Sequence, residues 1–436
     1  MGFKSSINRM MVINEGDMYM KLNNGIKVIS HPMPSLHSFT IGLYIAGGSR
    51  REPRDKRGIT HLLEHMHFRH MRDMTQSELY YRMESMGSTL RAATYYEFMR
   101  YSMKARPQHF LGCADIIARV IETDGWTAED VRAERAVVEG QIVERGFEDS
   151  FEEMYRNCIY GDSELSRGIM GDVQSVRRIT ARDLAEYKRL LFAADNMLLC
   201  VTGCYSEAEL ERVRERIGRI PVEPHAVLTE PKRIRLGRRR PDVELCECGW
   251  ERIDACLSFD VDYASVSLEQ LQILNCILGE GVGSRLQCKI RESDGYTSEI
   301  YSEIDSFRDF AVLTVNFTVD VERFYDCLIE VLRVINGLKH DISGRDLDVT
   351  LPFYTENTVF AEDDSEQKNF DLAYDNFILA LPNNALPSER TSQLDVLTSA
   401  AVRLFRPENA CFSAAGNLDE TDERMVTEAL CGELSM

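Results

Sequence analysis

The sequence lacks long apolar runs and has few positive charges relative to negative ones. No apolar stretch reaches the roughly 20 residues that cross a membrane as a helix. Its start, MGFKSSINRMMVINEGDM, lacks the apolar segment and small-residue cleavage site of a secretion signal. The 51 Lys and Arg against 71 Asp and Glu give a formal net charge of -20. We therefore expect a soluble, cytoplasmic protein that binds neither membranes nor nucleic acid.

The cysteines also lack any regular spacing. Apart from Cys246 and Cys248, the 12 cysteines are scattered singly through apolar surroundings. This distribution argues against a disulfide framework and against a four-thiolate zinc site. Most of them are expected to be small buried side chains.

The length and the repeated pattern of elements indicate two domains. A chain of 436 residues exceeds what one hydrophobic core usually supports. Strands and helices of the first half recur in the same order in the second half, which predicts an α+β protein of two related repeats. We place the repeats at residues 1–225 and 243–436, joined by residues 226–242. That connecting stretch is rich in Pro, Gly and Arg, so a solvated linker is favoured over a basic surface for an acidic partner.

One short motif suggests a metal site. In GITHLLEHMHF, His61 and His65 are four residues apart, so a helix would place both rings on one face. Two such rings can hold zinc, and Glu64 can act as general base on a water beside the metal. The alternative is a helix that carries histidines by chance, since His67 and His70 are close by.

Several further segments resemble the inverzincin metallopeptidases, the family of insulin-degrading enzyme, pitrilysin and the mitochondrial processing peptidase. The matching segments include LNNGIKVISHPMP, AGGSRRE, MGSTLRAATYYEFMRY, ERAVVEGQI and LGEGVGSRLQCKIRESDGY. The resemblance implies that each repeat is a mostly antiparallel sheet covered by helices. It further implies that this chain is half of a clamshell, which closes with a second such chain around a peptide chamber.

The third zinc ligand is where the sequence departs from this family. The resemblance implies a ligand Glu in a stretch of the form E-R-x-V-V-x-x-E-I, and here that position is Gln141. An amide oxygen is a poorer zinc ligand than a carboxylate. Glu134, two turns earlier on the same helix face, could compensate, as could Glu144. We therefore predict Zn2+ held by His61 and His65 together with either Gln141 or Glu134.

The substrate-binding positions depart as well. The strand STLRAATYY resembles the family's edge strand, which pairs with the substrate main chain, and Arg91 replaces the usual Asn before Ala92. Arg291 matches the family Arg that, with a Tyr, stabilises the developing oxyanion. The Tyr position is Ser298. This pattern implies a heterodimer in which a homologous subunit supplies the Arg and Tyr.

Two functions remain open from the sequence. One is a zinc endopeptidase subunit that cuts short or unfolded peptides, a role compatible with removing leader segments from peptides in bacteria. The other is a non-catalytic scaffolding subunit of a heterodimeric peptidase with a degenerate zinc site. The intact His61, Glu64 and His65 favour the peptidase.

Overall fold

The computed structural model forms two compact units. It describes residues 18–144, 147–231, 234, 241–361, 363–381, 386, 389–418 and 422–435. The first unit draws on residues 1–144, 169–230 and 360–383, and the second on residues 145–168, 231–359 and 384–436. The main boundary, at residue 230, falls inside the predicted linker 226–242, much of which lies outside the described residues. Residues 145–168, from the first half of the chain, belong to the second unit, and residues 360–383, from the second half, belong to the first unit. The predicted boundaries do not include this exchange of segments.

Each unit contains a mixed β-sheet. The strands, in chain order, are β1 Met18–Lys21, β2 Lys27–Pro32, β3 Phe39–Ala46, β4 His70–Met71, β5 Met74–Thr75, β6 Arg91–Thr94, β7 Phe98–Ala105, β8 Met197–Gly203, β9 Asp242–Glu247, β10 Arg252–Val261, β11 Glu299–Ser306, β12 Ala311–Asp320 and β13 Ala410–Gly416. The first sheet has the order β1-β2-β8-β3-β7-β6, with β4 and β5 as a separate hairpin. The second has the order β11-β12-β10-β13-β9.

The two sheets share one topology. The order β2-β8-β3-β7-β6 in the first matches β9-β13-β10-β12-β11 in the second. In each sheet the same pair is parallel, β2 with β8 and β9 with β13, and the other neighbours are antiparallel. The predicted α+β class and the two related repeats are therefore confirmed.

Helices cover the sheets. In chain order they are α1 Ile59–Arg69, α2 Gln76–Ser85, α3 Phe110–Glu122, α4 Ala128–Val143, α5 Phe147–Tyr160, α6 Val173–Arg178, α7 Ala181–Leu191, α8 Glu207–Gly218, α9 Leu268–Leu278, α10 Phe324–Gly337, α11 Gly344–Ala361, α12 Ser365–Ala373, α13 Arg390–Leu404 and α14 Glu423–Ser435. Thr127 and Thr180 cap α4 and α7 through reciprocal bonds with Asp130 and Asp183, three residues later in each case. Among the described helices, none combines the length and apolarity needed to cross a membrane.

The first sheet is covered on both faces. On one face, alternate residues of β3 such as Ile41 and Leu43 pack with α1 and α3 in the main core. On the other face Tyr44 lies in a smaller core with Leu372. Asn369 of α12 fixes this second layer, because it donates to Cys200 O at 2.9 Å and accepts from the Tyr44 hydroxyl at 3.0 Å. The segment that carries α12 therefore completes the first unit.

Candidate metal centre

A buried carboxylate and a glycine fix the start of α1, the helix that carries the histidine motif. Glu52 accepts hydrogen bonds from the backbone N–H of Gly58 at 2.7 Å and of Thr60 at 2.8 Å. Burial raises the pKa of Glu52 to about 7, although the bonds from Thr60 and Gly58 act in the opposite direction. Gly58 has φ +83, and a Cβ there would lie 2.3 Å from the Met170 carbonyl oxygen. Only glycine fits this turn.

The histidines of α1 divide between its two faces. The rings of His61 and His65 are neighbours, with centroids 4.6 Å apart. His67 is fully buried on the other face, where its Nδ1 lies 3.0 Å from Leu63 O and 2.9 Å from the Tyr101 hydroxyl. Burial, aided by the neighbouring Lys188, lowers the pKa of His67 well below its usual value. His67 is therefore a core side chain and does not belong to the pair.

Helix α4 brings both candidate third ligands to this pair. His61 Nε2 lies 3.4 Å from Gln141 Oε1, about the separation of two atoms that share a tetrahedral zinc ion. His65 Nδ1 lies 2.9 Å from Glu134 Oε1. An ionised carboxylate only accepts hydrogen bonds, so Glu134 orients the ring and leaves His65 Nε2 for a metal. Gln141 thus has the position of a ligand, and Glu134 that of the hydrogen-bonding partner behind one.

The donor set fits zinc but carries little charge. Within the described part of the chain, no three His, Cys, Asp or Glu side chains converge as metal ligands. Two imidazoles and an amide oxygen can coordinate zinc, with one negative charge fewer than a set that includes a carboxylate. The side chains present therefore fit a zinc site of reduced affinity.

Glu64 lies between the histidines and the edge strand. Its Oε2 accepts a hydrogen bond from Thr94 Oγ1 at 2.5 Å and lies 3.9 Å from His61 Nδ1. Burial raises the pKa of Glu64, while the bond from Thr94 and the neighbouring His65 lower it. A carboxylate with a raised pKa, oriented by a hydroxyl, is suited to proton transfer.

The strand β6 is an edge of its sheet. Tyr95 N donates to Phe98 O at 2.8 Å, which fixes the hydrogen-bonding phase with β7. Because that phase alternates in an antiparallel ladder, the main-chain groups of Arg91 and Ala93 face β7, and those of Ala92 and Thr94 face the open edge. A peptide strand can therefore pair with Ala92 and Thr94, beside Glu64.

Arg291 lies in the second unit, apart from the histidine motif, which lies in the first. It is on the π-helical turn Gln287–Ser293, with Nη1 3.4 Å from Gln287 Oε1. Ser298 is exposed just before β11. Of the nearby tyrosines, Tyr296 packs against the core beneath Arg323, whereas Tyr301 is exposed on β11.

Comparisons with known proteins match two family profiles to this chain. A profile described as Insulinase (Peptidase family M16) matches residues 27–173, and one described as Peptidase M16 inactive domain matches residues 178–351. The chain belongs to the insulinase family, peptidase family M16. The predicted resemblance to the inverzincins is thereby confirmed, and the first profile includes α1 and α4.

Relatives of this M16 chain include proteins named as proteases. An uncharacterized zinc protease of Mycobacterium bovis is 26% identical over 344 residues, which cover 73% of this chain and 74% of that protein. The mitochondrial-processing peptidase subunit beta of Neurospora crassa is 28% identical over 218 residues, 48% of this chain and 46% of that subunit. The periplasmic protease PqqL of Escherichia coli shares the fold, with a TM-score of 0.78 and 18% identity, over 98% of this chain and 51% of PqqL.

Two supporting residues of the site were missed from the sequence. Thr94 is within the quoted edge strand, but its bond to Glu64 depends on a contact 30 positions away in the chain. Glu52 ends the quoted segment AGGSRRE, and an acidic residue shortly before a helix is a known capping signal. That signal could have identified Glu52, whereas nothing local identifies Thr94.

Proposed function

We propose that this M16 chain is the metal-binding subunit of a zinc-dependent endopeptidase that cuts short or unfolded peptides. The proposal depends on one observation, the convergence of His61, His65 and Gln141 next to Glu64 at an open sheet edge. The zinc proteases among its relatives support it. Within this proposal, a specific role would be the removal of leader segments from peptides in bacteria.

The side chains divide the work of hydrolysis. Zinc bound by the histidines would act as a Lewis acid on the scissile carbonyl. Main-chain groups of Ala92 and Thr94 hold the peptide extended along β6. Glu64, oriented by Thr94, takes the proton of the attacking water and delivers it to the leaving amine. Glu134 accepts a hydrogen bond from His65 Nδ1, which holds the ring in the tautomer whose Nε2 is free to coordinate a metal.

A homologous partner subunit is part of the proposal. PqqL, in which this fold occupies 51% of the chain, is long enough to contain a second half. The resemblance implies an Arg and Tyr against the scissile carbonyl, and here Arg291 is followed by Ser298 at the Tyr position. We infer a heterodimer in which the partner supplies both side chains and closes the peptide chamber.

Metal content and two substitutions test the function. We expect about one zinc per purified chain by elemental mass spectrometry, and none in His65→Ala. Glu64→Gln should keep fold and zinc but lose peptide cleavage, since an amide cannot take a proton from water. Cleavage by Glu64→Gln at the wild-type rate would rule out Glu64 as the base.

The specific observation that favours a scaffolding subunit is the amide at Gln141 in place of a carboxylate. Under this second function the chain would bind no zinc, even after reconstitution and with its partner present. It would still raise the activity of that partner. Zinc content therefore separates the two functions.

A further inference from the structure

The side chain of Arg91 presents free hydrogen-bond donors beside the open edge of β6. Both of its described bonds use Nη1, which donates to the two carboxylate oxygens of Glu366 at 3.0 and 2.9 Å. Among the described residues none accepts a hydrogen bond from Nε or Nη2 of Arg91. The side chain is 69% exposed, so these donors face solvent.

Glu366 is shared between Arg91 and a second arginine. Arg100 Nη2 also donates to Glu366 Oε1, at 3.1 Å, so one carboxylate serves two guanidinium groups. The nearby pair of Lys104 and Asp364 is neutral overall. Of the two guanidinium groups bonded to Glu366, that of Arg91 is the exposed one, with 69% of its side chain exposed against 15% for Arg100.

The geometry of β6 determines which side chain of a paired peptide lies next to Arg91. Arg91 and Ala93 project to the face of α12, whereas Thr94 projects to the face of α1, where it contacts Glu64. In paired strands, directly opposed side chains share a face and lie about 5 Å apart. A peptide paired with Ala92 therefore places one side chain beside Arg91.

We propose that Arg91 selects peptides with an Asp or Glu at the position opposite it on β6. The inference rests on the proposed function, since it requires a peptide paired with this strand. Arg binds carboxylates with a planar fork of donors, and Nε with Nη2 offers such a fork. An Asn at this position would offer neither the charge nor the fork.

The net charge of the chain does not oppose this selection. Charges farther away than about 8 Å are largely screened at physiological ionic strength. A contact between Arg91 and an opposed carboxylate is within that distance, whereas most of the -20 net charge is spread over the surface of 436 residues.

Affinity selection from a random library of synthetic 12-residue peptides tests the inference. The full chain is immobilised in EDTA, which prevents zinc-dependent cleavage, and retained peptides are sequenced by mass spectrometry. We compare wild type with Arg91→Asn, Arg91→Glu and the control Arg177→Glu. Arg177 is a matched control because it is 66% exposed and also paired with a glutamate, Glu139, at 2.9 Å.

Wild type and Arg177→Glu should enrich Asp and Glu about two- to fivefold at one position. Arg91→Asn should lose that enrichment, and Arg91→Glu should enrich Lys and Arg instead. Retained peptides of the same composition for wild type and Arg91→Glu would overturn the inference while leaving peptide binding intact. If wild type retained no peptides, the proposed peptide binding would fail and the inference with it.

Discussion

At the scale of single residues, Gln141 separates this site from one with an acidic third ligand. Its amide oxygen lies beside His61 at ligand distance, and the carboxylate of Glu134 is already engaged by His65. In the proposed zinc site, residue 141 would therefore supply a ligand atom that carries no charge. Protein ligands must replace water molecules of the zinc hydration shell. A neutral set of ligands compensates for that loss less well than a set with a carboxylate, so it binds zinc less tightly.

Gln141→Glu should tighten zinc binding by at least about tenfold, because it restores an anionic ligand at unchanged geometry. Competition with a chromophoric chelator measures the dissociation constant. Gln108→Glu, which adds the same charge at an exposed position, is the control. Equal affinities for wild type and Gln141→Glu would show that residue 141 is not a ligand.

At the scale of elements, local sequence patterns predict the bounds of a helix or strand well where those bounds are set by neighbouring residues in the chain. The residue pattern of the sequence predicts a strand from Phe98 to Ala105 and a helix from Leu268 to Leu278, and β7 and α9 have these bounds. The same kind of pattern predicts a strand from Ser88 to Thr94, but β6 begins only at Arg91. The backbone N–H groups of the first predicted residues bond to Met83 of α2 instead, since Ser88 N donates to Met83 O and Leu90 N to Met83 Sδ.

Long-range pairings could not be predicted in the same way. The exchange of α5 and α12 between units depends on contacts such as that of Asn369 with Cys200, 169 positions apart. The candidate site shows the same limit. Spacing along α1 predicted the neighbouring rings of His61 and His65, but only tertiary structure assigns different partners to Gln141 and Glu134.

The turn before α1 gives a prediction at this scale. Gly58→Ala should destabilise the first unit by at least about 2 kcal/mol. The alanine would have to adopt a left-handed backbone conformation, and its Cβ would clash with Met170 O. Urea unfolding measures this loss. Gly87→Ala is the matched control, since Gly87 has φ +59 and no atom of the described residues lies within 4 Å of where a Cβ would be. It should cost only about 1 kcal/mol, and equal losses would refute the clash.

At the scale of the whole molecule, a buried lysine links stability to pH. Lys188 lies behind α1, where its Nζ donates to Ile121 O at 2.8 Å. Burial lowers the pKa of Lys188 from its usual 10.5 to about 7. Between pH 7 and pH 10.5, Lys188 is therefore protonated in the unfolded chain and neutral in the folded chain. Raising the pH from 7 to 10.5 therefore increases the contribution of Lys188 to stability.

Lys188→Met should remove this dependence. The free energy of unfolding of the variant, relative to wild type, should fall steadily as pH rises from 7 to 10.5. Other titrations cancel in this difference, and the lost bond to Ile121 adds only a constant. Urea titrations across the window measure it, with Lys104→Met as the control at an exposed site. A difference that does not vary with pH would exclude a buried neutral lysine.

The proposed pairing also gives a prediction for the whole molecule. The purified chain, loaded with zinc, should cleave peptides at well under a tenth of the rate of the assembled pair, because removing even one oxyanion donor costs about a hundredfold. Peptidase assays with and without a homologous subunit measure the ratio. A fully active isolated chain would contradict the heterodimer.

The exchange of segments between units has a consequence for synthesis. The first unit needs α12, which leaves the ribosome only after the stretch from residue 231 to residue 359 has been translated. At cellular elongation rates this interval lasts on the order of 10 s. During it, the sheet face that includes Tyr44 and Leu198 lacks its cover. The nascent chain therefore exposes apolar surface throughout this interval, and a gene fragment ending near residue 230 would not encode a complete first unit.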